Sequence, residues 1–169
     1  MTESKHRLSG FEERELEWRG ARLRYAVGGA GPPLVLVHGL GGTIENWRAL
    51  ASSLTVRHHV VVPDLPGHGG SAPLPEPCDL DSIAEALGAI ADAEEMGSAV
   101  WVGHSLGGLV VVRAAVLRRE AVRGVVLAAA AGIGSGSRGA RVTLTVLGIT
   151  RPGRLIAPFR HAWAQSRLG

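Results

Sequence analysis

From Val100 to Val111 the sequence runs Val100-Trp101-Val102-Gly103-His104-Ser105-Leu106-Gly107-Gly108-Leu109-Val110-Val111. An apolar run of strand length meets a Gly-x-Ser-x-Gly corner and continues as an apolar pattern with small residues, which reads as strand, sharp turn, helix. Where a strand passes almost directly into a helix the two backbones nearly touch, and Gly103 and Gly107 supply surface without side chains at that approach. Ser105 then stands on a tight, strained turn with its hydroxyl held proud of the sheet. The following N–H, from Leu106 at the helix start, points to where an oxyanion would form. The competing reading is a glycine-rich turn that happens to contain serine; the flanking strand and helix favour the reactive geometry.

The rest of the chain alternates in the same way. Residues 1–10 are polar and read as a mobile tail. Residues 12–18 and 21–27 alternate roughly around the Arg19-Gly20 corner, as an antiparallel hairpin at a sheet edge does. Leu34-Val35-Leu36-Val37 is wholly apolar, the pattern of a central strand buried on both faces. Thr43 is placed to cap a helix over 44–54, with Trp47, Leu50, Ala51 and Leu54 on one face. Residues 58–63 hold the next buried strand. A second helix starts at Asp79 or Asp81, buries Ile83, Ala84, Leu87, Ile90 and Ala91, and turns Asp92, Glu94 and Glu95 to solvent. A strand at 99–102, a helix at 106–118 and a strand at 123–129 follow. This order predicts an α/β fold with a mostly parallel, doubly wound sheet. Residues 142–149 and 155–168 read as helical pieces broken at Pro152 and Pro158.

Two more glycine-rich turns precede the serine corner. His38-Gly39-Leu40-Gly41-Gly42 follows one apolar strand, and Asp64-Leu65-Pro66-Gly67-His68-Gly69-Gly70-Ser71 follows the next. With Gly103-His104-Ser105-Leu106-Gly107-Gly108, and in this order, they resemble the N-terminal part of the α/β-hydrolase superfamily, in its serine-nucleophile branch. The resemblance implies an α/β-hydrolase fold that is C-terminally incomplete. It divides the chain into a polar tail at 1–11, a hydrolase core at 12–132 and the start of a cap or lid region at 133–169. It also implies that Ser105 is the catalytic nucleophile and that the backbone N–H groups of Leu40 and Leu106 form the oxyanion hole. A glycine-rich loop lets such main-chain donors approach a reacting carbonyl unobstructed. By the same resemblance Asp64 and His68 are structural, and His38 braces its loop. The serine disfavours relatives that use an aspartate nucleophile, such as epoxide hydrolases.

Composition narrows the partners. An apolar fraction of 46% and 24 glycines suit a globular α/β protein. The formal charge of +3 hides an asymmetry, with all 15 acids in residues 1–120 and 7 arginines without an acid in 121–169. Those arginines are spread out and accompanied by no nucleic-acid motif, so a solvated or capping surface is expected and no nucleic-acid partner. Cys78 is the only cysteine, so no internal disulfide is possible. The N-terminus lacks the apolar core of a secretion signal, and the longest apolar runs fall short of a membrane span. A cytoplasmic protein without membrane contact is expected. Gly134 to Gly139 spells Gly-x-Gly-x-x-Gly, but no acid follows Glu120 to hold a ribose, so a dinucleotide is disfavoured. Neither a cofactor nor a metal is expected.

A serine hydroxyl is a weak nucleophile at neutral pH and needs a general base that an acid orients. After Ser105 the sequence offers one acid, Glu120, and one histidine, His161. The family order is Ser, acid, His, and neither residue stands where the family carries its partner. The expectation is a serine hydrolase acting on an ester, thioester or related acyl substrate through an acyl-enzyme, as a truncated chain with low or no activity alone. The alternative is a non-catalytic binding or interaction protein that keeps the half-fold and self-associates through an incomplete sheet.

Overall fold

Arg19 and Gly20 both take positive φ, 48° and 78°, the backbone of the two-residue turn whose twist matches paired strands. They join β1 (Glu12–Trp18) to β2 (Ala21–Gly28) as an antiparallel hairpin with Trp18 opposite Ala21. The computed structural model describes residues 8–130 and the backbone of a strand at 144–148. Within it β3 (Pro33–Val37), β4 (His59–Pro63), β5 (Ala99–His104) and β6 (Val122–Ala128) run parallel, joined by helical crossovers. β7 (Leu144–Gly148) returns antiparallel along β6. The seven strands lie in the order β1-β2-β4-β3-β5-β6-β7. The parallel strands form the centre of an α/β sheet, as the alternation of elements requires.

Each face of the sheet has its own core. On one face Leu23, Tyr25, Val35, Val37, Val61, Trp101, Val125 and Leu127 pack beneath α2 (Leu80–Ala93) and α3 (Leu106–Leu117). On the other, Ala26, Leu34, Leu36, Val60 and Val62 pack beneath a 3-10 turn (Ile44–Trp47) that continues as α1 (Arg48–Leu54). β3 meets both cores, so its apolar run has no polar interruption. Asp79 caps α2, its side chain accepting from Ser82 N–H while the Ser82 hydroxyl accepts from Asp79 N–H.

Four expectations need correction. The segment 44–54 begins as a 3-10 turn whose tighter winding shifts the phase of the apolar face; Trp47 and Ala51 are buried, whereas Leu50 is 44% exposed. Glu94 does not face solvent: α2 ends over the hairpin, where Glu94 accepts from the Tyr25 hydroxyl at 2.7 Å and from Arg14 at 2.8 Å. The presumed tail is anchored at Leu8, which is buried against Trp47 and its neighbours. Residues 144–148 form β7 rather than a helix. The unpaired N–H and C=O groups along the outer edge of β6 reward pairing, and the β-branched Thr145 and Val146 suit a strand. The Gly134–Gly139 motif, the piece at 155–168 and His161 lie outside the described residues.

Candidate active site

Parallel strands end on a common edge, and there this sheet gathers its glycine-rich turns. Val37 lies beside Gly103, and His104 beside Ala128, so the loops after β3 and β5 and the end of β6 are neighbours. The loop after β4 joins them through His38. Ser105 sits between β5 and α3 with φ 51° and ψ −117°, a conformation that costs a non-glycine residue about 1–3 kcal/mol. Its N–H donates to Ala128 C=O at 3.2 Å, and its C=O accepts from Gly108 N–H at 3.0 Å. The turn is therefore pinned from both sides. Ser105 is half-buried, its hydroxyl does not cap the helix, and His104 beside it is exposed.

The glycines are steric necessities. A Cβ on Gly103 would lie 2.4 Å from Gly107 C=O, and one on Gly107 would lie 2.4 Å from His38 C=O. A Cβ on Gly39 would stand 2.9 Å from the Ser105 Cβ and 3.2 Å from His104 Nδ1. The loop after β3 thus lies directly against the serine corner. Leu40 follows Gly39, its side chain 79% exposed. The Gly42 N–H donates to Gly39 C=O at 3.0 Å, closing a turn around Leu40 and Gly41, whose φ is +69°. As the first residue of α3, Leu106 carries an N–H without an intrahelical acceptor. The two expected oxyanion donors, in the loop after β3 and at the start of α3, therefore lie on segments that abut at Ser105.

His38 and Asp64 hold this arrangement from beneath, both fully buried. His38 Nε2 accepts from Leu65 N–H at 3.0 Å, which leaves the proton on Nδ1 to be donated to Gly39 C=O at 2.8 Å. Burial pushes the His38 pKa below the ordinary histidine value, against the opposing pull of the Gly39 carbonyl and Asp64. The ring is neutral, so its 3.7 Å approach to Asp64 Oδ1 is not an ion pair. Asp64 accepts from Ile44 N–H at 2.8 Å, Gly70 N–H at 2.8 Å and Arg24 Nη1 at 2.9 Å. Burial lowers the Arg24 pKa, but the Asp64 and Glu13 carboxylates outweigh it and raise the value overall. The Ser71 hydroxyl ties the turn to β2, accepting from Arg24 N–H at 2.9 Å and donating to Asp64 C=O at 3.0 Å. Sequence reasoning assigns no role to Arg24 or Ser71; an arginine inside a strand that otherwise reads as half-buried is the available signal.

Glu120 stands apart. It precedes β6, while Ser105 lies at the other end of that strand, about 20 Å away for a strand of this length. Among the described residues no His, Cys, Asp and Glu side chains cluster to hold a metal. Nor is any helix among them long and apolar enough to cross a membrane.

A family model described as the alpha/beta hydrolase fold matches residues 32–144. The chain belongs to the α/β-hydrolase fold family. It is 39% identical over 132 residues to the dihydrolipoyllysine-residue acetyltransferase component of the acetoin cleaving system of Pseudomonas putida, a match covering 77% of this chain and 36% of the relative. It is 41% identical over 107 residues to the pimeloyl-[acyl-carrier protein] methyl ester esterase of Vibrio atlanticus, covering 63% and 40%. Among solved structures, epoxide hydrolase A of Mycobacterium thermoresistibile superposes with a TM-score of 0.63 at 34% identity, covering 68% of this chain and 38% of that one. The chain spans about two fifths or less of the length of these relatives.

Proposed function

We propose that this chain carries the nucleophile and oxyanion hole of a serine hydrolase acting on an ester, thioester or related acyl group. The observation that carries the reading is Ser105 on its strained turn with Gly39 packed against its Cβ. In this reading Ser105 Oγ adds to the acyl carbon while its proton passes to a general base. The Leu40 and Leu106 N–H groups stabilise the oxyanion of the tetrahedral intermediate. Collapse expels the alkoxide or thiolate, which takes up a proton, and water then cleaves the acyl-enzyme to release the acid and restore the serine. The names of the two curated relatives, an acetyltransferase component and a methyl ester esterase, accord with acyl chemistry. A serine where aspartate-nucleophile relatives carry their carboxylate favours this over epoxide opening.

The base and acid are the open part of the site. Both ring nitrogens of His38 are engaged, and Glu120 lies at the far edge of the sheet. The chain on its own is therefore expected to turn over acyl substrates poorly. Loss of triad members leaves serine enzymes on the order of 10⁴ to 10⁶ slower. The test is fluorophosphonate labelling of the purified chain, with Ser105→Ala as control and the mass in solution measured alongside. Ser105-dependent labelling means an activated serine and a base within the chain or from a paired copy. A folded chain that remains unlabelled supports an inert nucleophile half. Acyl turnover that survives Ser105→Ala sinks the proposal.

A further inference from the structure

His38 hangs between two loops by two hydrogen bonds that require opposite protonation at its two nitrogens. Nδ1 must carry a proton to reach Gly39 C=O, and Nε2 must lack one to accept from Leu65 N–H. Only one of the three protonation forms of imidazole satisfies both. Protonation would set an Nε2–H donor against the Leu65 N–H donor at 3.0 Å in a fully buried place, where an unmade bond is costly. The loop it would disturb is the one that lies on Ser105. Gly42 is also involved, since a Cβ there would stand 2.9 Å from His38 Nδ1, so the ring and the Leu40 turn share one close-packed contact.

We propose that neutral His38 is the positioning residue for the Leu40 N–H, and that its protonation in acid releases the 39–42 loop from Ser105 while the sheet stays folded. The proposal rests on the functional reading only in calling that loop the oxyanion loop. The charged and titratable groups around the ring are few. Asp64 Oδ1 lies 3.7 Å from Nε2, but that carboxylate is already engaged by Arg24 and two backbone donors. His68, in the loop after β4, has its ring centroid 5.6 Å away and disfavours a charge on His38. Glu45, at the start of the 3-10 turn, acts in the opposite sense at longer range. His104, on the serine corner, brings its Nδ1 to 3.2 Å of where a Cβ on Gly39 would stand. Burial further disfavours the cation. Because the folded-state value is depressed, the brace is complete above the ordinary histidine pKa and is lost as pH falls through the depressed value.

The test is nitrogen-15 NMR of the full chain as pH is lowered from neutrality. At neutral pH a coupling across the Leu65 N–H to His38 Nε2 bond is expected. On acidification the Leu65 and 39–42 amides should shift with the same midpoint as the His38 ring, while the amides of α2 hold still. His38→Gln is expected to remove that transition and His68→Gln to leave it. Loop amides that ignore the His38 titration, a transition that survives His38→Gln, or α2 amides lost at the same midpoint would each overturn the proposal. If His38→Gln fails to fold, the wild-type midpoints decide alone. Acyl turnover that survives Ser105→Ala beside a coupled titration keeps the positioning role and removes only the hydrolase reading; Ser105-dependent labelling with an uncoupled His38 does the reverse.

Discussion

Ser105 holds φ 51° where most residues hold a negative value, and its neighbours Gly39, Gly103 and Gly107 have no room for a Cβ. The strain is stored at the one residue that the proposed chemistry needs, and glycine there should relieve it. Ser105→Gly is expected to be more stable than Ser105→Ala by about 1 kcal/mol, the relief of strain exceeding the extra chain entropy of glycine. Urea denaturation of the two variants measures it; equal midpoints, or a less stable glycine variant, would mean an unstrained turn. Gly107 and Gly39 owe their need for a bare backbone to His38 and Ser105, far along the chain, but that of Gly103 is local, set by Gly107 four residues on, and is legible in sequence. The support of the corner is not. The Leu65 N–H on His38 and the Ile44, Gly70 and Arg24 donors on Asp64 come from positions 6 to 40 residues apart, and no spacing rule joins them.

Elements whose state one side-chain pattern settles are legible in the sequence, and those whose state a neighbour settles are not. The Arg19-Gly20 corner marks the hairpin, and Asp79 or Asp81 marks the start of α2, which Asp79 caps. The strand at 144–148 owes its state to the open edge of β6, which no window of its own sequence contains. Helix periodicity alone turns Glu94 to solvent, because it says nothing of the hairpin lying across the end of α2. There the Tyr25 hydroxyl donates to Glu94 at 2.7 Å while Arg14 spans Glu94 and Glu12. Burial, and then the Glu94 carboxylate, push the Tyr25 pKa up to about 12. Tyr25 is the only tyrosine, so the tyrosinate absorbance of the folded chain reports this link alone. Its midpoint is expected near 12 rather than near the ordinary tyrosine value of about 10. Since the folded-state value is the raised one, the link contributes fully below about 10 and fades as pH rises through about 12. In Glu94→Gln the midpoint should fall; an unchanged midpoint would leave burial as the whole cause.

For the whole molecule, stability should grade outward from β3, the strand that both cores cover. Val35, Leu36 and Val37 are essentially inaccessible, whereas β1 lies at the sheet edge and α1 buries a single residue, Ala51. Native-state hydrogen exchange is expected to release the α1 and β1 amides first and those of β3 and β5 last. A slow-exchanging β1 beside a fast β3 would contradict that layering. The centre was visible in sequence as an unbroken apolar run. The pairing of Ser105 N–H with Ala128 C=O was not, and it has a consequence for synthesis. A growing chain meets its strands in the order β3, β4, β5, β6, and the central strand acquires its second neighbour only when β5 emerges. Until Ala128 has left the ribosome, the serine turn lacks one of the two hydrogen bonds that pin it, so a nascent chain is expected to complete the strained form of Ser105 only once β6 has emerged.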